Sequence, residues 1–89
     1  MPGLPAISGR RAVAVFRRAG FEVKRQHGSH IIMTKAGRPE TLSVPDHGEL
    51  KIGTLRALIR KAGLTVDQFL ELLAPRSAAN GTVQVVESG

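Results

Sequence analysis

The hydrophobic pattern near the start of the chain predicts an amphipathic helix. Four apolar residues recur at the i, i+3, i+4, i+7 spacing that is typical of one buried helical face: Ala12, Val15, Phe16 and Ala19. Ser8 is the predicted N-cap, and Gly20 is the predicted end of the helix. The remaining face forms a basic ridge, which consists of Arg10, Arg11, Arg17 and Arg18.

A half-buried strand and a tight turn are predicted next. Residues 21–26 alternate between two faces, and one of these faces carries Phe21, Val23 and Arg25. A tight turn is predicted after this strand because glycine adopts a positive φ without steric cost. The predicted turn consists of His27, Gly28 and Ser29.

Two further strands complete an antiparallel meander in the prediction. Residues 30–34 begin with His30 and continue with an apolar run, and residues 41–44 form a third strand that Pro45 ends. A looser turn over residues 35–40 joins these two strands. Since all the connections are short, we expect consecutive strands to pair in the antiparallel sense.

Two more helices are predicted after the strands. The first covers about residues 51–62, ends at Gly63 and has a core face of Ile52, Leu55, Leu58, Ile59 and Ala62. Thr65 and Gln68 have the spacing of a capping box, so a last helix is predicted from there to about Ala74. Its predicted buried residues are Phe69, Leu72 and Leu73.

The predicted element order, α-β-β-β-α-α, is an α+β architecture. Helices cover one face of a three-stranded antiparallel sheet, and the other face is left open. We expect a single domain over residues 1–74, since a chain of 89 residues is too short for two cores. Residues 75–89 change to a small and polar composition and are predicted to form a flexible C-terminal appendage.

The charge of the chain favours a polyanionic partner. Thirteen Lys and Arg residues against seven Asp and Glu give a formal net charge of +6, which attracts nucleic acid, an acidic protein or an anionic membrane. No apolar run reaches the roughly 20 residues of a membrane span, and no signal peptide is recognisable. We therefore expect a cytoplasmic protein without a membrane partner. The lack of cysteine excludes disulfides and thiolate zinc sites.

His30 is the leading candidate for a chemical role. It stands at the first position of an apolar strand, directly after Gly28 and Ser29. Histidine can both accept and donate a proton near neutral pH, and such a group on a basic surface suggests chemistry on RNA. The alternative is a strand residue whose imidazole is solvated or bound to a neighbouring carbonyl.

His47 and His27 are the other two histidines. His47 follows the third strand and is a candidate second acid or base, because RNA cleavage by 2′-hydroxyl attack needs one group that accepts a proton and another that donates one. The alternative is an ordinary loop histidine. The spacing of His27 and His30 suggests a metal site, but no acidic cluster supports it, so we predict neither a metal nor a cofactor.

Candidate RNA-binding groups occur in the predicted turn and among the basic side chains. Gly28 and Ser29 allow a phosphate to approach the backbone of the turn closely. The candidate basic side chains are Lys24, Lys35, Lys51 and Arg56. Any one of these side chains is explained as an ordinary surface charge in contact with water. Their combined positive charge, however, favours contacts with phosphates.

Several short motifs occur in a characteristic order. They are Arg18-Ala19-Gly20-Phe21, Gly28-Ser29-His30, Val44-Pro45-Asp46-His47, Lys51-Ile52-Gly53-Thr54-Leu55-Arg56, Lys61-Ala62-Gly63-Leu64 and Phe69. In this order and spacing the chain resembles the HicA (YcfA-like) toxins of bacterial toxin–antitoxin modules. The similarity covers about residues 4–74.

The resemblance implies a double-stranded-RNA-binding-domain-like fold and an endoribonuclease toxin that cleaves messenger RNA without a metal. The active-site histidine of the family maps onto His30, and His47 matches a histidine that is common in the family. The resemblance also implies a HicB-like antitoxin that covers His30 and neutralises the toxin, so a hetero-oligomer with that antitoxin is expected.

Two alternative functions are left open by the sequence. The first is a non-catalytic RNA-binding module of the same fold, in which His30 would be dispensable. The second is a DNA-binding helix-turn-helix over residues 51–74. Its second helix is apolar and carries Asp67 and Glu71, whereas a recognition helix should present basic and amide groups to the groove.

Overall fold

Three helices and three strands form the part of the chain that the computed structural model describes, residues 3–74. In chain order they are α1 (Gly9–Arg18), β1 (Glu22–His27), β2 (His30–Thr34), β3 (Leu42–Pro45), α2 (Ile52–Lys61) and α3 (Val66–Leu73). The predicted order and α+β class are confirmed, and the arrangement is that of a double-stranded-RNA-binding-like fold. The predicted appendage at 75–89 lies outside the described residues.

The predicted starts of α1 and α3 are confirmed by side-chain caps. The Ser8 hydroxyl accepts a hydrogen bond from the backbone N–H of Arg11 at 3.0 Å, which caps α1. In α3, Thr65 accepts from the backbone N–H of Gln68 at 3.1 Å, and the Gln68 side chain accepts from the backbone N–H of Thr65 at 2.9 Å. This reciprocal pair is a complete capping box.

The sheet has the strand order β1-β2-β3, and both pairings are antiparallel. Along β2 and β3, burial alternates: Ile31 and Met33 are buried, and so are their cross-strand partners Val44 and Leu42. This side of the sheet packs against the helices, since α1 contacts β1 and β3 and α2 contacts β3. The residues that alternate with these buried ones along β2 and β3 lie on the opposite side of the sheet, which we call the open face.

A β-bulge changes the orientation of β1. Val23 pairs with Met33, but the next pair joins Arg25 to Ile32, so Lys24 is an extra residue. Residues that pair directly share one face of a sheet. The prediction that Val23 and Arg25 share a face is therefore wrong: Val23 lies on the helix side, and Arg25 lies on the open face. The inserted residue shifts the alternation of all later β1 positions by one.

Aromatic packing anchors the core between the helices and the sheet. The Phe16 ring lies 6.2 Å from that of Phe21 and 5.5 Å from that of Phe69, centroid to centroid, and all three side chains are buried. The predicted burial of Ile52 is wrong, since it is 40% exposed. Leu50 takes a core position instead, because its N–H donates to the Ile7 carbonyl at 2.8 Å and fixes this loop residue over the core.

Candidate active site

A hairpin turn positions His30 at the end of the central strand. Gly28 has φ 62°, a conformation that glycine adopts readily, and it allows the chain to reverse between β1 and β2. His30 is exposed and precedes the buried Ile31, so its side chain lies on the open face. The predicted placement of His30 at the start of the second strand is confirmed.

Two residues flank His30 in the sheet. His30 pairs with His27 of β1 on one side and with Pro45 of β3 on the other. The interpretation of His27 as a turn residue is wrong, because it is the last residue of β1. Contrary to the prediction, Pro45 does not stop β3 at the preceding residue. It is the last residue of the strand and forms the last β3 pair. Both histidines therefore lie at one end of the sheet.

Asp46 connects the turn to the loop after β3. Its backbone N–H donates to the carbonyl of Ser29 at 2.7 Å. Its carboxylate accepts from Arg10 of α1 through Nε and Nη2, both at 3.1 Å, and from Gln26 Nε2 at 3.3 Å. Gln26 also donates to the carbonyl of Gly28 at 3.2 Å. We call the bidentate Arg10 and Asp46 pair the latch, because it joins the turn to helix α1.

Loss of the latch is expected to destabilise the fold measurably. Asp46→Ala should lower the free energy of unfolding by about 1 kcal/mol, since it removes three hydrogen bonds to an ionised acceptor. Arg10→Ala should cost less, because Arg10 is 74% exposed and exposed ion pairs contribute about 0–1 kcal/mol. Urea denaturation measures both values. Arg11→Ala is the matched control, and an unchanged urea midpoint for Asp46→Ala would contradict a stabilising latch.

Gly9 brings α1 into direct contact with the end of β3. Its N–H donates to the carbonyl of His47 at 2.9 Å. A Cβ atom at this position would lie 1.8 Å from the carbonyl oxygen of Pro45, so only glycine fits here. The strand end that pairs with His30 is thus held from the helix side by backbone contact.

His47 lies in the loop after β3 and is exposed. It follows Pro45, the partner of His30, by two positions, and its carbonyl is bound by Gly9. None of the side-chain hydrogen bonds found among residues 3–74 involves an imidazole. Within the same residues, no three His, Asp or Glu side chains are grouped to hold a metal ion.

The candidate RNA-binding lysines and arginine are dispersed. Lys24 is the exposed bulge residue of β1, Lys51 is the N-cap of α2, and Arg56 is exposed on α2. Lys35 follows the far end of β2, about 17 Å from His30 at the rise of an extended strand. Its ammonium lies 5.8 Å from the centroid of the Phe21 ring, so a cation–π contact accounts for its position.

The basic ridge of α1 is exposed as predicted, but half of it is engaged within the protein. Arg10 belongs to the latch, and Arg18 donates to the carbonyl of Leu72 at 2.6 Å, which connects α1 to α3. Among the described residues, no such partner is found for the side chains of Arg11 and Arg17. The ridge is therefore partly structural.

Comparison with known families identifies this arrangement. The family model described as the HicA toxin of bacterial toxin–antitoxin systems matches residues 9–64, more than half of the chain. The chain belongs to the HicA toxin family. The matched segment begins at the first residue of α1 and includes the whole sheet, the latch and the His30 turn. No curated protein matches the chain.

Membership in the HicA family makes this chain the toxin of a toxin–antitoxin system, and it implies pairing with an antitoxin. Over residues 3–74, each helix is too short to cross a membrane. The described site consists of one exposed turn flanked by two histidines on the open face, and it is held from the helix side by the latch and Gly9.

Two features of this site were missed by the sequence reasoning. The latch joins residues 36 positions apart, and no spacing rule connects an arginine in a first helix to an aspartate after a third strand. The pairing of His27 with His30 does have a sequence signal. A turn of two residues places its flanking residues opposite each other. A turn that consists of Gly28 and Ser29 alone therefore pairs His27 with His30, whereas the predicted turn, which also includes His27, does not.

Proposed function

We propose that this HicA-family toxin is an endoribonuclease that cleaves messenger RNA, with His30 as a catalytic acid or base. The observation that carries the proposal is the position of His30, exposed at the end of the central strand on the face away from the helices. A strand position that contributes nothing to the core is occupied by the side chain best suited to proton transfer near neutral pH.

The reaction we propose is attack of a ribose 2′-hydroxyl on the adjacent phosphorus. The 2′-oxygen forms a bond to phosphorus, and the bond from phosphorus to the 5′-oxygen of the next nucleotide breaks. One group accepts the proton of the 2′-hydroxyl, and another donates a proton to the departing 5′-oxygen. Each proton transfer contributes about 10²–10⁴ in rate, and His30 supplies one of them. His47 is a candidate for the other.

In this proposal, RNA binding rests on the turn and on the dispersed basic side chains. Gly28 and Ser29 are exposed, and apart from the adjoining residues no atom lies within 4 Å of the position that a Gly28 Cβ would take, so a phosphate has room beside the turn. Lys24, Lys51 and Arg56 are exposed and supply positive charge. Lys35 is further from His30 and contacts Phe21, so we assign it a peripheral part in binding.

A HicB-like antitoxin would neutralise this toxin by covering His30. The open face is exposed around the histidines, and a partner seated there would form a hetero-oligomer and exclude RNA. The cytoplasm, where messenger RNA is translated, is the compartment in which we expect the toxin to act.

Cleavage of RNA by the purified full chain tests this function. We expect the purified protein to cut messenger RNA in the presence of EDTA and to leave 2′,3′-cyclic phosphate and 5′-hydroxyl ends, because the nucleophile is the ribose itself. End analysis of the fragments measures this. RNA that is bound but left intact would indicate a non-catalytic RNA-binding module. Preferential binding of duplex DNA would indicate a helix-turn-helix protein.

A further inference from the structure

We propose that His27 is the second catalytic histidine, and that His27 and His30 divide the acid and base roles of RNA cleavage. The inference rests on the proposed ribonuclease function. It assigns the second proton transfer, for which His47 is the other candidate, to His27. It follows from the pairing of these two residues across the hairpin.

The hairpin brings the two imidazoles together. His27 and His30 are direct antiparallel partners, separated only by Gly28 and Ser29. Side chains of such partners project from the same face, and their Cβ atoms lie about 4.5–5.5 Å apart. Both residues are exposed. Two solvent-accessible imidazoles therefore stand side by side at the end of the sheet.

The bulge in β1 decides the face on which His27 lies. Val23 is on the helix side, and strict alternation from it would place His27 on the helix side as well. The extra residue, Lys24, reverses this alternation, so His27 lies on the open face with His30. The helix side of the turn is occupied by Gln26 and the latch. Bulges often re-aim side chains next to active sites.

The chemistry of RNA cleavage requires two proton-transfer groups at one phosphate. In an in-line displacement, the attacking and departing oxygens lie on opposite sides of the phosphorus. The base must reach one oxygen and the acid must reach the other. Adjacent imidazoles that both face solvent can approach one phosphate from two positions, and the open space beside Gly28 in the turn leaves room for it.

The surroundings favour His27 over His47 as the partner. His47 lies in a loop, and its backbone is bound to α1 through Gly9. On the open face, the charged residue preceding His27 by two positions is Arg25, and it is cationic. On this face, the β3 residues that pair with β2 are Ser43 and Pro45. Neither side chain exchanges a proton near neutral pH. Among the strand residues of the open face, the two imidazoles are therefore the proton-transfer groups at this end of the sheet.

Two substrates separate the acid from the base. The first is an RNA oligonucleotide. The second is a mixture of the four nucleoside 3′-(4-nitrophenyl phosphates), whose leaving group departs without a proton. We expect His27→Ala and His30→Ala each to lower the rate on RNA by about 10²–10⁴-fold. One of the two variants should retain a rate within a few-fold of wild type on the nitrophenyl esters, and that variant identifies the acid.

The pH dependence of cleavage gives a second readout. The wild-type chain should show a bell-shaped dependence of kcat/KM on pH, and each variant should lose one limb of it. Glu22→Ala, an exposed β1 residue at the far end of the sheet, is the matched control and should cleave as the wild type does. All variants are exposed-site changes, and their urea midpoints show whether they are folded.

Three outcomes would overturn the inference. In the first, His27→Ala cleaves RNA at the wild-type rate with an unchanged pH profile. In the second, His47→Ala loses the activity that His27→Ala retains. In the third, both histidine variants lose the same factor on both substrates. A wild-type chain that leaves RNA intact would instead contradict the proposed ribonuclease function itself, so the two failures are distinguishable.

Discussion

Cells that induce the His30→Ala chain are expected to continue growing with intact messenger RNA, whereas induction of the wild-type chain should arrest growth and degrade messages. The physical reason is that loss of one proton-transfer group lowers the cleavage rate by about 10²–10⁴-fold. His30 is exposed on the open face, so its truncation removes little buried apolar surface and should leave the fold intact. Growth curves and total RNA profiles, followed together after induction, measure the outcome.

The control for this experiment is an exposed residue that lies away from the site. Glu22→Ala changes the same sheet at its opposite end and should be as toxic as the wild type. Equal accumulation of the three chains, checked by immunoblot, excludes loss through degradation. If wild type and His30→Ala behave alike, whether both are toxic or both are inert, the proton-transfer role of His30 is contradicted, and a binding module becomes the better description.

Local signals in the sequence were sufficient to predict the element order. Ser8, Thr65 and Gln68 cap their helices as expected, because capping depends on residues within one turn. The exchange of Ile52 for Leu50 in the core was not predictable in this way. It depends on a hydrogen bond between Leu50 and Ile7, which brings together two segments far apart in the chain.

The candidate site was predictable in part for the same reason. His30 was found because one residue type at one strand position carries the signal. The position of His27 depends on the bulge at Lys24, and a bulge follows from the register of two strands and not from the alternation within one. The latch between Arg10 and Asp46 depends on the packing of α1 against the end of β3. Tertiary contacts of this kind have no local pattern.

Gly9 shows how strongly that packing constrains the chain. Gly9→Ala is expected to lower the free energy of unfolding by about 3 kcal/mol, since overpacking a close-packed contact costs about 1–3 kcal/mol and here the obstacle is backbone. The added Cβ would lie 1.8 Å from the carbonyl oxygen of Pro45 and 2.9 Å from its carbon, so α1 and β3 must separate. Urea denaturation measures the loss as a lower midpoint with little change in slope.

The matched control is a glycine-to-alanine change that meets no obstacle. Gly53 lies in α2, and no atom falls within 4 Å of its added Cβ, so Gly53→Ala should stabilise the protein by up to about 0.5–1 kcal/mol through its better helix propensity. The same substitution thus has opposite signs at the two positions. Because Pro45 pairs with His30, Gly9→Ala should also slow RNA cleavage under conditions where the variant is folded. A Gly9→Ala chain as stable as wild type would show that α1 does not hold the end of β3.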